Sequence, residues 1–311
     1  MEICNAQYKN KQGIKLRTTA VECIILPEEG GKMVSFRDNS TGRELLAQAE
    51  GEIYKDLTFR GSYVDSECSA FDEMFPTIDP WYNGEREYAD HGEVCRLPNA
   101  YVVTKGKAVA LRLSVLSPFG DYRFRKTYQA CDGGIEIAYE AENIGSKPLK
   151  AIWASHLMLQ AQEGEAVLLS EDKKYAAEFM FCEDAAIPKN VTIENGCELL
   201  RSAPYSETGN AYKFYIKEPY HGEFRYGKIT VKTENAGYLG IWINNGCFKG
   251  MYNVAAEFCT GAYDTPGAAE AHGADVTIPA ARLYNGSCFL LSKNKSRRAA
   301  LWNKIKKAKS S

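Results

Sequence analysis

No stretch of the 311 residues comes near the roughly 18 consecutive apolar positions that a membrane-crossing helix needs. Phosphate-loop and dinucleotide-binding glycine fingerprints are absent, which argues against a nucleotide cofactor. A G-x-S-x-G elbow is missing too, and with it the signature of one large class of serine hydrolases. The ten cysteines include no C-x-x-C pair, so a structural zinc site has no sequence support. Residues 1–17 mix charges and amides without an apolar block, and so read as free of a secretory signal. The expectation is a cytoplasmic protein with reduced thiols, several of them small core residues. Amphipathic helix is scarce: one fits 297–307 and a short one fits 173–181. Histidine is rare as well, with four in the chain, namely His91, His156, His221 and His272.

What is present is strand after strand. Residues 21–26 form an apolar run closed by a proline and a glycine turn, and 33–37 resume with alternation. Residues 109–115, 122–128 and 135–142 alternate with period two and are joined by short Gly, Asp and Asn turns. A further strand is expected over 149–159. The second half repeats the style at 212–216, 227–232, 238–243, 251–258 and 287–291. Without a Pro/Ser linker or a repeat, this predicts a large all-β antiparallel sandwich spanning 1–292 as one domain, with a basic tail at 293–311. The tail carries eight Lys and Arg and no acid, leaving 30 basic against 40 acidic residues elsewhere. A body so acidic repels nucleic acid, and neither a nucleic-acid nor a membrane partner is expected.

Between 51 and 100 the alternation breaks down, and long ordered loops on a β scaffold are where function concentrates. His91 closes this segment in Asp90-His91-Gly92-Glu93. His156 lies in a strand of apolar neighbours beside Trp153, where it is either a bonded core residue or a working group. Glu257 ends a strand after Val254-Ala255-Ala256, and a carboxylate there is either salt-bridged at a rim or functional.

The stretch Glu257-Phe258-Cys259-Thr260-Gly261-Ala262-Tyr263-Asp264 resembles the Glu-Pro-x-Thr-Gly-x-x-Asp/Asn motif of the aldose 1-epimerase (galactose mutarotase-like) family. The turn and strand from Leu26-Pro27-Glu28 to Phe36, the segments Phe71–Thr77 and Asp90–Glu93, and Gly240-Ile241-Trp242 are similar to other parts of the family in the same order. The resemblance implies a β-supersandwich, a small-molecule sugar as partner, no cofactor, and interconversion of the α and β anomers of an aldose. It implies Glu257 as base and His156 as acid, with His91 on the ring oxygen or a neighbouring hydroxyl.

Asp72 and Glu73 are candidates to grip sugar hydroxyls, or else solvated loop acids. Trp242 and Trp81 are candidates to stack on a sugar face, or else core residues. For the family's substrate-holding arginine, Arg60 fits by position, with Arg86 and Arg96 as rivals. The chain departs from the family at Ile152, Ala154 and Phe258, where Asn, Thr and Pro are usual. Those departures leave open a non-catalytic carbohydrate-binding or sensing protein on the same fold. A metal site built from His91, His156 and Glu257 is a third reading, but no H-x-H or H-x-x-x-H spacing supports it.

Overall fold

The computed structural model describes residues 1–105, 109–182 and 187–292. Both the expected helix at 297–307 and the basic tail lie outside the described residues. The fold is an all-β, antiparallel sandwich. Among the described residues one sheet has twelve strands. From edge to edge it runs Glu2–Tyr8, Lys11–Arg17, Val21–Leu26, Lys32–Asp38, Phe71–Met74, Ala154–Gln160, Tyr252–Cys259, Tyr238–Asn245, Ala211–Ile216, Tyr175–Cys182 and Asn190–Ile193, with Arg43–Glu44 beside Lys32–Asp38. A second sheet of eight runs Leu168–Leu169, Phe224–Tyr226, Ile229–Glu234, Leu283–Ser292, Gly134–Asn143, Tyr122–Cys131, Val109–Leu116 and Ala100–Lys105.

Period-two alternation decides what faces what. Leu157 and Leu159, Val254, Ala256 and Phe258, Leu239, Ile241 and Ile243, and Tyr212, Phe214 and Ile216 all point to one side of the large sheet. There they pack against Leu111, Leu113, Val115, Ile135, Ile137 and Ala141 of the second sheet. Each buried aliphatic or aromatic side chain contributes about 1.5–3 kcal/mol, so this continuous layer is the main source of stability.

Two expectations are corrected. Residues 173–181 are not helical, since Tyr175–Cys182 is a strand. Its Lys, Ala and Glu content suits a helix, but Tyr175, Ala177 and Phe179 recur every second residue and are drawn into the core. The expected strand over 149–159 is broken in two, Leu149–Lys150 and Ala154–Gln160, the first pairing with Thr277–Ile278.

Candidate active site

The side chains on the opposite face of the large sheet define the site. His156 and Met158, Asn253 and Glu257, Trp242, and Lys213 stand on four adjacent strands, an even number of residues apart wherever one strand supplies two. With His91, Asp79, Asp264, Phe181 and Phe248 they line a cleft of about 270 Å³. That volume is close to the lower end of the roughly 300–1,000 Å³ usual for small-ligand sites, and suits one small molecule.

The Thr-Gly-x-x-Asp stretch shapes the floor. Thr260 pins the chain to the neighbouring segment, its N–H donating to the Trp153 carbonyl (2.9 Å) and its Oγ1 accepting from the Trp153 N–H (3.0 Å). Gly261 is required by close packing, because a Cβ there would lie 2.7 Å from the Ala269 Cβ and 3.0 Å from the Ile152 Cγ2. Asp264 then ties down the irregular segment, its carbonyl accepting from the N–H groups of Ile78 (3.1 Å) and Asp79 (2.8 Å).

Glu257 is 3 % exposed. Lys213 Nζ stands 2.7 Å from Glu257 Oε2 and 2.7 Å from Asp264 Oδ1, and Tyr215 Oη donates to the same Asp264 oxygen (2.8 Å). The ammonium donates a hydrogen bond to Asp264 and forms a buried ion pair with Glu257 through Oε2. Burial favours the neutral amine at Lys213, but the Asp264 and Glu257 carboxylates outweigh it and raise the pKa. Gly240 makes room beside this pair, since a Cβ there would stand 3.2 Å from the Tyr215 ring and 3.4 Å from the Glu257 Cβ.

On the other wall His156 turns Nδ1 away from the cleft, toward Tyr63 Oη (2.8 Å) and Asp72 Oδ1 (3.2 Å). That leaves Nε2 to serve the cleft. Asp72 is paired with Lys32 (3.2 Å). Burial works against its charge, but Lys32 and then His156 outweigh burial and hold the carboxyl well below the usual range. His91 Nδ1 donates to the Asp90 carboxylate at Oδ1 (2.8 Å), and the His91 ring lies 4.9 Å from that of His156. Burial, helped by the His156 charge, lowers its pKa despite Asp90.

Asp79 sits at the mouth where water still reaches it; crowding by protein atoms, and then the Asp264 charge, push its carboxyl up to about 6. Facing these polar groups is an apolar wall. Trp242 packs 5.5 Å from both Phe181 and Phe248, and its indole N–H donates to Asn253 Oδ1 (2.8 Å). Phe181 reaches this wall because the strand pairing slips between Phe179 and Phe181, reversing the alternation.

Of the residues singled out from sequence, Glu257, His156, His91 and Trp242 therefore meet in one cleft. Asp72 stands behind His156 rather than in the cleft. Glu73 does not reach it: adjacent strand residues face opposite sides, and Glu73 points between the sheets to Lys126 and to Tyr139 Oη (2.9 Å). Arg60 is exposed and outside the lining. Arg86 is held by Glu93 and Asp121, and Arg96 donates to the carbonyls of Gly92 (2.9 Å), Gly61 (2.7 Å) and Asp90 (2.5 Å), fastening the irregular segment. Trp81 stacks on Tyr88 instead.

Sequence reasoning missed Lys213, Asp264 as its partner, Asp79 and Tyr63. Lys213 carried a faint signal, a cation alternating with Tyr212 and Phe214, which places it opposite the core. Tyr63 carried none.

The two antiparallel sheets form a galactose mutarotase-like fold. The chain is similar to a protein from Synechocystis sp. PCC 6803 at a TM-score of 0.68 and 12% identity, with 94% of this chain and 100% of that one covered. A galactose mutarotase-like protein from Clostridium acetobutylicum gives 0.63 at 14% identity, covering 94% and 98%. A galactose mutarotase related enzyme from Lactobacillus acidophilus gives 0.62 at 12%, covering 91% and 97%. No family model matches the sequence, and no curated protein does either.

Proposed function

We propose that the protein interconverts the α and β anomers of a free aldose in this cleft. The observation that carries the reading is the convergence of Glu257 and His156 on one monosaccharide-sized space. Mutarotation needs a base at the C1 hydroxyl and an acid at the ring oxygen, exchanging roles after C1 rotates. Glu257, buried and paired through Oε2 with Lys213, is placed to accept the C1 hydroxyl proton. His156, presenting Nε2, gives its proton to the ring oxygen while Asp72 compensates the imidazolium charge. His91 holds the ring oxygen or the adjoining hydroxyl, and Trp242 offers a face for the sugar's C–H groups.

Replacing Glu257 by Gln keeps the shape and removes the base, so enzyme-catalysed anomer exchange, followed by NMR, should fall about 10²–10⁴-fold. Exchange at the unaltered rate would remove Glu257 from the mechanism. One observation favours a second reading, a sugar-binding protein without turnover: the Lys213 ammonium 2.7 Å from Glu257 opposes proton uptake by that carboxylate. Saturable sugar binding with exchange no faster than in buffer would select it.

A further inference from the structure

Tyr63 belongs to neither wall of the cleft, yet its hydroxyl touches His156 and the carboxylate behind it, and its ring covers His91. Tyr63 is 1 % exposed, and its Oη lies 3.0 Å from each Asp72 oxygen and 2.8 Å from His156 Nδ1. Its ring stacks on His91 at 3.8 Å with the planes 4° apart, and meets the His156 ring edge-on at 5.3 Å. On the Asp72 side stands Lys32, whose ammonium pairs with Asp72 and donates to the Glu67 carbonyl (2.6 Å). On the His91 side stands Asp90.

A phenol has one proton to give and lone pairs to accept with. The ionised Asp72 carboxylate is the strongest acceptor within reach, so the phenolic proton goes there. The Oη lone pairs then face His156 Nδ1, and that contact is favourable only if Nδ1 carries a proton.

We propose that Tyr63 is a positioning residue that locks His156 in the Nδ1–H form and holds both imidazole rings, so that Nε2 is the one nitrogen that exchanges a proton with the cleft. In this form neutral His156 presents a bare Nε2 as base, and the cation presents Nε2–H as acid. A reversible acid and base at one sugar atom needs that alternation and no other. The inference about turnover rests on the anomer-interconversion reading; the inference about the tautomer does not.

The test is Tyr63→Phe, which keeps the ring and its stacking and removes only the hydroxyl. With ¹⁵N-labelled imidazoles, the unaltered protein should show Nδ1 protonated and Nε2 bare once His156 is neutral. In the variant, Asp72 at 3.2 Å is the one remaining acceptor for that proton, and a measurable fraction of the Nε2–H tautomer should appear. For a sugar that is turned over, kcat should fall roughly tenfold with KM unchanged, since Tyr63 does not line the cleft. A neutral His156 with Nε2–H in the unaltered protein overturns the proposal without any variant. So does a variant whose tautomer and kcat both match the unaltered protein. If no sugar is turned over, the tautomer still decides the matter for Tyr63, and the failure belongs to the proposed activity. Should the variant unfold, the spectrum of the unaltered protein remains the deciding measurement.

Discussion

At the scale of single residues, the cleft is governed by which charges are matched. Asp264 and Glu257 share Lys213, and Asp72 has Lys32, but the Asp79 carboxylate has no charged partner at hydrogen-bond distance among the described residues. Its pKa is raised in the fold to about 6. A carboxyl raised in this way stabilises the folded state below its unfolded pKa of about 3.9, and that contribution is lost as pH climbs through about 6. Asp79→Asn should therefore raise the melting temperature at pH 7 and leave it nearly unchanged at pH 4. Calorimetry at the two pH values checks this; an equal effect at both would sink it. Legibility also differed residue by residue. Glu257 and His156 stood out because a carboxylate and an imidazole among apolar neighbours need a reason to be there. Lys213 looked like any solvated strand lysine, and the charge that made it special lies 51 positions away at Asp264.

At the scale of elements, alternation explains both the successes and the errors. Strands such as Val109–Leu116 and Tyr122–Cys131 were legible because every second side chain is buried. The four-residue strand Phe71–Met74 was not, being embedded in irregular chain. Reading it as loop put Asp72 and Glu73 together, whereas the pleat sends Asp72 toward His156 and Glu73 between the sheets. There Glu73 and Lys126 form a buried ion pair, and burial raises the Glu73 pKa in spite of Lys126. Removing one member strands the other, a loss of about 3–5 kcal/mol for Lys126→Met. Adding Glu73→Gln to that variant should recover much of the loss, because no buried charge remains. Urea unfolding of the single and double variants measures both; a single-variant loss below about 1 kcal/mol would contradict the account. The slip between Phe179 and Phe181, which brings Phe181 into the cleft wall, has no sequence signature, since bulges depend on the partner strand.

At the scale of the whole molecule, one face of the large sheet is spent on the core and the other, near its centre, on the cleft. This division lets the central strands be rigid and functional together, with the 51–100 segment folded over them to deliver His91 and Asp79. The architecture was legible in outline, because turn spacing and alternation leave few alternatives to an antiparallel sandwich. The meeting of Glu257 with His156 was an expectation that periodicity alone could not have supplied, since their strands are about 100 residues apart in the chain and become neighbours only in the sheet. The claim that both act on an anomeric carbon is tested most directly by a crystal structure of Glu257→Gln, the variant expected to bind sugar with exchange slowed, soaked with a panel of aldoses. The account predicts a sugar whose C1 hydroxyl lies about 2.6–3.2 Å from the residue at 257, with its ring oxygen at the same distance from His156 Nε2 and its C–H face on Trp242. A sugar bound in the cleft with C1 directed away from both residues would contradict it.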